Sequence, residues 1–193
     1  MELKIGIDIA DTIIDVWPNL INKASEFNSL HSNNPKSKEK HLYLPEDIYN
    51  WSKEETSAFW NLYRDELAFN SQIKKGVKET IDYLKSIYCK IYFITVKTGS
   101  EYIDLEQKIV AMLNENNIYY DEIYTQIKNK GEFCKEKDIS YLIDDSYNNC
   151  LSAVKNGKIG LLMTNPYNED RLMPNNMYRI SKFTDIKKHI KKK

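Results

Sequence analysis

Apolar runs alternate with amphipathic stretches over most of the chain. Five short segments have the length and apolar character of buried strands, and they cover residues 3–9, 90–96, 121–125, 141–144 and 158–164. Three segments between them repeat apolar residues at helical spacing, and they cover residues 77–87, 102–116 and 146–157. Strands that alternate with helices predict an α/β fold with a doubly wound parallel sheet.

Residues 15–75 interrupt this alternation, because they contain no clear strand. Their pattern predicts a short helix, a polar loop and a longer helix, over residues 18–27, 28–45 and 52–69. Ser52 and Glu55 have the spacing of a capping box at the start of the longer helix. We therefore predict a core domain of residues 1–14 and 76–193, with a small helical insert after the first strand. An insert there is expected to lie over the carboxyl ends of the strands, where open α/β sheets bind ligands.

Composition and charge limit the partners, the compartment and the metal sites that the sequence predicts. Apolar residues make up 41% of the 193 positions, and 28 basic residues balance 28 acidic ones. This balance gives no electrostatic reason to expect a nucleic acid or a membrane surface as partner, and no segment has the ~20 apolar residues that span a bilayer. The chain enters a strand at once, so we expect no signal peptide. Three cysteines without CxxC spacing predict free thiols in a cytoplasmic protein, and three scattered histidines give no zinc motif.

Carboxylates follow two predicted strands that can be neighbours in a parallel sheet. Asp8 ends the first strand, and Asp144 and Asp145 end the strand at 141–144. Three carboxylates in one cleft repel each other unless a cation lies among them, and Mg²⁺ binds one or two carboxylates with waters and phosphate oxygens. Thr95 ends another strand, and Lys130 lies at the start of a following helix. Together these groups are suited to phosphoryl chemistry.

Each of these residues alone also has a simpler explanation. An aspartate after a strand is often a helix cap, and for Asp11 a helix cap and a role in the site are equally good explanations. A single threonine or lysine is more often structural or exposed. The adjacent acids after an apolar strand are more specific, because they cost stability without a partner. The order of the groups along the chain therefore favours a site.

Four short motifs carry these residues. The first is DIADT at residues 8–12, which ends an apolar strand. The second is ITVK, in which Thr95 ends a strand and Lys97 follows two residues later.

The third motif is NKGEFCKE, which places its lysine at Lys130, with Lys128 as the alternative. The fourth is IDDS, which contains Asp144 and Asp145, and the segment NPYN follows at residues 165–168. This series resembles the haloacid dehalogenase (HAD) superfamily and, within it, the 5'(3')-deoxyribonucleotidases and similar bacterial nucleotidases. In that group the first motif is typically DxDxT, and Ala-Arg follows the threonine of the second.

The resemblance implies a mechanism and a set of roles. It implies that Asp8 attacks phosphorus to form an aspartyl-phosphate. It implies a Mg²⁺ ion bound by Asp8, by the backbone carbonyl of Ala10 and by Asp144. Asp145 is implied to orient these ligands without binding the ion itself. The residues implied to contact the phosphoryl group or the rest of the substrate are Thr95, Lys97 and Lys130. The insert at 15–75 corresponds to the small cap that closes over the leaving group in that family.

Ala10 departs from the family pattern at a position that matters for catalysis. The family's second aspartate protonates the leaving alkoxide and then takes a proton from water, and such general acid catalysis contributes about 10² to 10⁴ in rate. Alanine has no proton to give, and we expect the neighbouring Asp11 to point elsewhere. The first hypothesis is therefore a Mg²⁺-dependent, nucleotidase-type phosphatase with an Asp-to-Ala change, natural or engineered, that weakens turnover.

Two alternatives remain open. Phosphonoacetaldehyde hydrolases of the same superfamily have a DxAxT motif and form a Schiff base with a cap lysine, for which Lys23 and Lys53 are candidates. The other alternative is a non-catalytic protein that binds a nucleotide or another phosphate ester.

The substrate side of the site is less well specified. Trp51 lies in the insert, and stacking on a base and burial in the insert are equally good explanations of it. For Trp60 we prefer burial, in a stripe on the helix at 52–69 that also contains Phe59, Tyr63 and Leu67. We expect a small-molecule phosphate ester as partner, with nucleotides among the candidates, and a homodimer as the protein partner to test.

Overall fold

The computed structural model describes residues 2–39 and 41–191, which form two compact units. Unit 1 comprises Met1–Ile14 and Ile73–Lys193, and unit 2 comprises Asp15–Gln72. The role of the insert as a cap stays a prediction.

Unit 1 is built on one sheet of six parallel strands. In chain order the strands are β1 Lys4–Ile7, β2 Lys90–Ile94, β3 Glu122–Tyr124, β4 Tyr141–Asp144, β5 Ile159–Met163 and β6 Met177–Ile180. Their order across the sheet is β3-β2-β1-β4-β5-β6, and every neighbouring pair is parallel. The predicted α/β fold with a doubly wound parallel sheet is confirmed.

The helices of the described residues lie in both units. In chain order they are α1 Trp17–His31, α2 Pro45–Tyr49, α3 Lys53–Phe69, α4 Val77–Ser86, α5 Leu105–Glu115, α6 Lys130–Glu136, α7 Tyr147–Lys155 and α8 Ile186–His189. A 3₁₀ turn at Phe183–Asp185 precedes α8. Helices α1 to α3 belong to unit 2, and the others belong to unit 1. Within the part of the chain that the structure describes, no helix has the length and apolar character needed to cross a bilayer.

The strand order reverses between β1 and β4, which are neighbours in the sheet. Connections from β1 lead towards β2 and β3, whereas those from β4 lead towards β5 and β6. The pairing continues one residue beyond β1, because the Asp8 N–H donates to the carbonyl of Ile143 over 2.9 Å. Open α/β sheets bind ligands in the crevice at such a reversal. Asp8 and the last residue of β4, Asp144, lie on either side of it.

Close contact between α6 and α7 fixes the start of α6. A Cβ atom added to Gly131 would lie 2.3 Å from the carbonyl carbon of Ser152, so only glycine fits there without displacing backbone. The side chain of Asn129 caps α6 by accepting from the Glu132 N–H, and it also accepts from the Ser152 hydroxyl over 3.0 Å. The backbone at Lys130, the first residue of α6, is therefore fixed by the Asn129 cap before it and by the contact of Gly131 with α7 after it.

Gly131→Ala is expected to destabilise the protein by about 1–3 kcal/mol, because the added methyl group overpacks the contact with the α7 backbone. The free energy of urea unfolding measures the effect. Gly99→Ala is the matched control, since its added methyl group meets nothing within 4 Å, and a surface change of this kind stays within about 0.5 kcal/mol. Equal stabilities for the two variants would contradict the packing described for α6 and α7.

The three cysteines, Cys89, Cys134 and Cys150, are buried and form no disulfide. Burial raises the pKa of the Cys89 thiol to about 11 and that of Cys134 to about 12. These values suppress the reactive thiolate form, and the prediction of free thiols is confirmed.

An aromatic cluster forms the core of unit 2. Phe27 of α1 packs edge-on against Trp51 and Phe59, with ring centroids 5.0 and 5.5 Å apart. The predicted capping box of α3 is confirmed: the Ser52 hydroxyl accepts from the Glu55 N–H, and the Glu55 carboxylate accepts from the Ser52 N–H. Of the predicted stripe on α3, two side chains are buried and two are half-buried; these are Phe59 and Leu67, and Trp60 and Tyr63.

Candidate active site

Three carboxylates meet at the carboxyl ends of β1 and β4. Asp8 and Asp144 are 6% and 1% exposed, and Asp145 is half-buried. One carboxylate oxygen from each of the three lies within 4.8 Å of the other two. The structure therefore brings together the three acids that the motifs single out.

Lys130 supplies a positive charge inside this cluster. Its side chain is 2% exposed, and its ammonium group donates to the carboxylate of Asp8 and to Oδ2 of Asp144, the latter over 2.7 Å. Burial alone would lower the pKa of Lys130, but the charges of Asp144 and Asp8 raise it above its ordinary value. Lys130 is therefore charged at neutral pH. The alternative, Lys128, is exposed, so the structure places Lys130 rather than Lys128 at the carboxylates.

Asp144 is held in a fixed orientation. Its Oδ1 atom accepts from the Ser146 N–H over 2.8 Å. The side-chain amide of Asn149 lies 3.2 and 3.1 Å from its two oxygens. These contacts leave the carboxylate little freedom to rotate. Sequence reasoning missed Asn149, which lies in the first turn of α7.

The cluster carries more negative charge than Lys130 neutralises. Burial, together with the charge of Asp144, raises the pKa of Asp8 to about 6, although Lys130 and Lys97 act in the opposite direction. Burial is also the main reason that the pKa of Asp145 lies well above its ordinary value, and the charges of Asp144 and Asp8 add to it. An additional cation would relieve this repulsion. Three carboxylates with no thiolate or imidazole among them form a hard oxygen donor set, which fits Mg²⁺.

Asp8→Asn is expected to reduce a fall in stability of the metal-free protein as the pH rises from about 4 to about 6. Because the folded-state pKa of Asp8 is raised from 3.8 to about 6, the folded protein holds this proton more tightly than the unfolded chain does. Stability is therefore highest below the ordinary pKa and is lost as the pH rises through the folded-state value. The loss attributable to Asp8 is about 3 kcal/mol at neutral pH.

Urea unfolding at several pH values, with a chelator present, measures this effect. Asp138→Asn is the control, because Asp138 is exposed and hydrogen-bonded to Lys158, which lowers its pKa. The control should keep the fall between pH 4 and 6. An Asp8→Asn variant with the same pH profile as the native chain would contradict the raised pKa of Asp8.

Thr95 and Lys97 lie at the end of β2. Thr95 is 2% exposed, and its hydroxyl accepts from the Lys97 N–H over 3.2 Å. The Lys97 ammonium group donates to the hydroxyl of Tyr102 over 3.3 Å and lies 5.0 Å from the centre of that ring. Its charge also lowers the pKa of Asp8, so Lys97 contributes positive potential at the cluster.

The chain turns immediately after Asp8, at Ala10 and Asp11. Ala10 is half-buried and forms an isolated bridge with Ile14. Asp11 is fully buried with φ of 54°, in the left-handed region, and its charge contributes to raising the pKa of Asp145. The suggestion that Asp11 caps a helix is wrong, because the first helix begins at Trp17 and the residue before it is Val16.

The candidates in unit 2 have contacts of their own. Trp51 is 8% exposed, its indole N–H donates to Asn28 over 3.0 Å, and its ring stacks on Tyr49 at 5.7 Å. These contacts favour the burial explanation over base stacking. Lys23 pairs with Glu66 over 2.9 Å, and Lys53 is exposed.

Comparisons with known proteins agree with this description. A nucleotidase of Clostridium acetobutylicum is 28% identical to the chain over 177 residues, which cover 90% of the chain and 86% of the relative. Two solved structures have the same fold at lower identity. A haloacid dehalogenase-like hydrolase of Streptococcus pneumoniae has a TM-score of 0.65 and 16% identity, with 97% of this chain and 98% of that chain covered.

The second is a HAD-type protein of Bacillus subtilis bound to magnesium, with a TM-score of 0.63, 13% identity and the same coverage of both chains, 97% and 98%. No protein-family model matches the sequence. The chain has the HAD-like fold and resembles a nucleotidase, as its four motifs predict.

Proposed function

We propose that the chain is a Mg²⁺-dependent phosphatase of the nucleotidase type, in which Asp8 forms an aspartyl-phosphate and Ala10 limits turnover. The observation that carries this proposal is the cluster of Asp8, Asp144 and Asp145, from each of which one oxygen lies within 4.8 Å of the others, with Lys130 hydrogen-bonded to Asp8 and Asp144. Similarity to a nucleotidase over 90% of the chain supports the substrate class.

The residues of the site have distinct roles in this reaction. The Asp8 carboxylate attacks the phosphorus atom, and the bond from phosphorus to the leaving oxygen breaks. Lys130 and Lys97 offset the negative charge of the phosphoryl oxygens, and in this proposal the Thr95 hydroxyl donates to one of them. Asp8, Asp144 and the Ala10 carbonyl would hold Mg²⁺, with Asp145 supporting them, and the ion when bound supplies positive charge to the transferring group.

Ala10 leaves this reaction without its proton donor. The leaving alkoxide must take a proton from water, and water must attack the aspartyl-phosphate without help from a base at position 10. The same residue favours a second candidate function, a protein that binds a nucleotide or phosphate ester without hydrolysing it. The phosphonoacetaldehyde hydrolase alternative gains no support, because Lys23 is paired with Glu66 and Lys53 is exposed.

A phosphatase screen with a panel of nucleoside monophosphates and sugar phosphates tests the proposal. The native chain and Ala10→Asp are assayed with Mg²⁺ and with a chelator, and Asp8→Asn in the Ala10→Asp background is the control. We expect Mg²⁺-dependent phosphate release from Ala10→Asp that the added Asp8→Asn change abolishes. Calorimetric binding of a phosphate ester by both forms, with no release by either, would instead support the non-catalytic candidate.

A further inference from the structure

A short segment between β5 and β6 closes on itself beside the carboxylate cluster. It is the NPYN sequence at residues 165–168, here called the clamp segment. The Asn165 N–H donates to the side-chain oxygen of Asn168 over 3.1 Å, and the Asn168 N–H donates to the Asn165 carbonyl over 3.0 Å. Both asparagines are buried, at 6% and 2% exposed. Buried polar side chains of this kind have fixed partners.

The clamp segment contacts both halves of the proposed site. The Tyr167 hydroxyl donates to Oδ2 of Asp145 over 2.5 Å, and the Asn168 amide donates to the Asp145 carbonyl over 2.7 Å. On the other side, the Asn165 amide donates to the Asp11 carbonyl over 3.2 Å. One turn therefore fixes the loop that follows Asp8 and the acid that follows β4.

Hydrogen bonds from the sheet, including those from Arg179 on β6, hold the clamp segment in place. The guanidinium group of Arg179 donates to the side-chain oxygen of Asn168 over 3.2 Å and to its carbonyl over 2.9 Å. The Asn168 amide also donates to the carbonyl of Met163, the last residue of β5, over 2.9 Å. The position of Asn168 is thus determined by the sheet itself.

Asp145 needs this support, because it lies within 4.8 Å of two other carboxylates. Repulsion would turn an unrestrained carboxylate away from the cluster. Hydroxyl groups hold both of its oxygens: Tyr167 donates to Oδ2, and Thr12 donates to Oδ1 over 3.4 Å. Tyr167 makes the shorter of the two contacts.

We propose that Tyr167 is a positioning residue that sets the affinity of the site for a divalent cation by holding Asp145 at the cluster. This inference rests on the proposed function, because it assigns the clamp segment a task at the same metal site. Partners that orient metal-binding groups contribute about 10- to 100-fold in metal affinity. The effect is on ion binding, so it is measurable in the chain with Ala10 in place.

The experiment is calorimetric titration of the full chain with Mg²⁺ alone. Tyr167→Phe removes one hydroxyl and is expected to weaken Mg²⁺ binding by about 10- to 100-fold. Tyr178→Phe is the matched control, since Tyr178 lies on β6 and is 43% exposed, and the variant should bind Mg²⁺ as the native chain does. Melting temperatures measured with a chelator check that the variants fold.

Thr12→Val removes the other hydroxyl on Asp145 and provides a second measurement. We expect it also to weaken Mg²⁺ binding, and the double variant to lose less than the product of the two single losses, because both act on one carboxylate. Native affinity in both Tyr167→Phe and Thr12→Val would overturn this inference and leave the proposed function standing. A native chain that binds no Mg²⁺ would overturn the proposed metal site and the inference together.

Discussion

Ala10→Asp is expected to raise phosphate release from nucleoside monophosphates by about 10²- to 10⁴-fold. The alkoxide of such a substrate leaves poorly without a proton, and a carboxyl group at position 10 would supply one. Position 10 lies two residues beyond Asp8, on a turn whose backbone Asn165 fixes through the carbonyl of Asp11. The new side chain therefore starts from an ordered backbone. Steady-state kinetics with Mg²⁺ measures the gain.

The leaving group provides a sharper test of this explanation. Nitrophenolate departs readily without a proton, so the gain from Ala10→Asp in forming the aspartyl-phosphate should be far smaller with p-nitrophenyl phosphate than with an alkyl ester. The native chain should then accumulate phosphorylated Asp8, because it lacks a base to activate water. Intact mass after acid quenching detects this form, and Asp8→Asn should lack it. Equal gains with both substrates would contradict a proton-transfer role for position 10.

Lys130→Met is expected to destabilise the metal-free protein by about 3–5 kcal/mol at neutral pH, because it leaves two buried carboxylates without their partner. Asp8 and Asp144 are 6% and 1% exposed, so bulk water solvates these carboxylates poorly. The loss should be smaller at pH 5, below the raised pKa of Asp8 of about 6, because Asp8 can then take up a proton instead. Phosphate release in the Ala10→Asp background should also fall, because Lys130 contacts the proposed nucleophile.

Urea unfolding at pH 5 and pH 7.5 measures the first effect. Lys128→Met is the matched control: it removes an exposed lysine two residues away and should change stability by less than about 0.5 kcal/mol. Saturating Mg²⁺ should recover part of the loss in Lys130→Met, since binding to the folded state alone stabilises it. Similar losses in the two variants would mean that Lys130 is not the principal counter-charge of the cluster.

The sequence identified the residues that end strands and missed those that hold them. Asp8, Thr95 and Asp144 are visible because an apolar run leads into each, and a parallel sheet brings strand ends together. Asn149 is an ordinary polar residue in ordinary local sequence, and the NPYN segment marks Tyr167 without indicating which group it contacts. Their roles depend on tertiary contacts that no local pattern encodes: α7 brings Asn149 to Asp144, and the clamp segment brings Tyr167 to Asp145.

Other differences between the sequence predictions and the structure also have physical causes. The short elements α2, β6 and α8 have four or five residues each, too few for periodicity to stand out. The choice between Lys128 and Lys130 depended on burial: Lys130 is buried against Asp8 and Asp144, whereas Lys128 is exposed. The predictions of a cap and of a homodimer remain predictions.

The reversal of strand order between β1 and β4 has a consequence for how such a site diversifies. The connections that follow β1 and β4 lead to opposite sides of the sheet, and this leaves a crevice between the ends of the two strands. The crevice is a consequence of the order of the strands rather than of particular side chains. A side chain at the rim can then be exchanged without undoing the sheet, and position 10 is one such place. Under the proposed function, a substitution at position 10 can therefore remove catalysis while the fold and the binding of a ligand are kept.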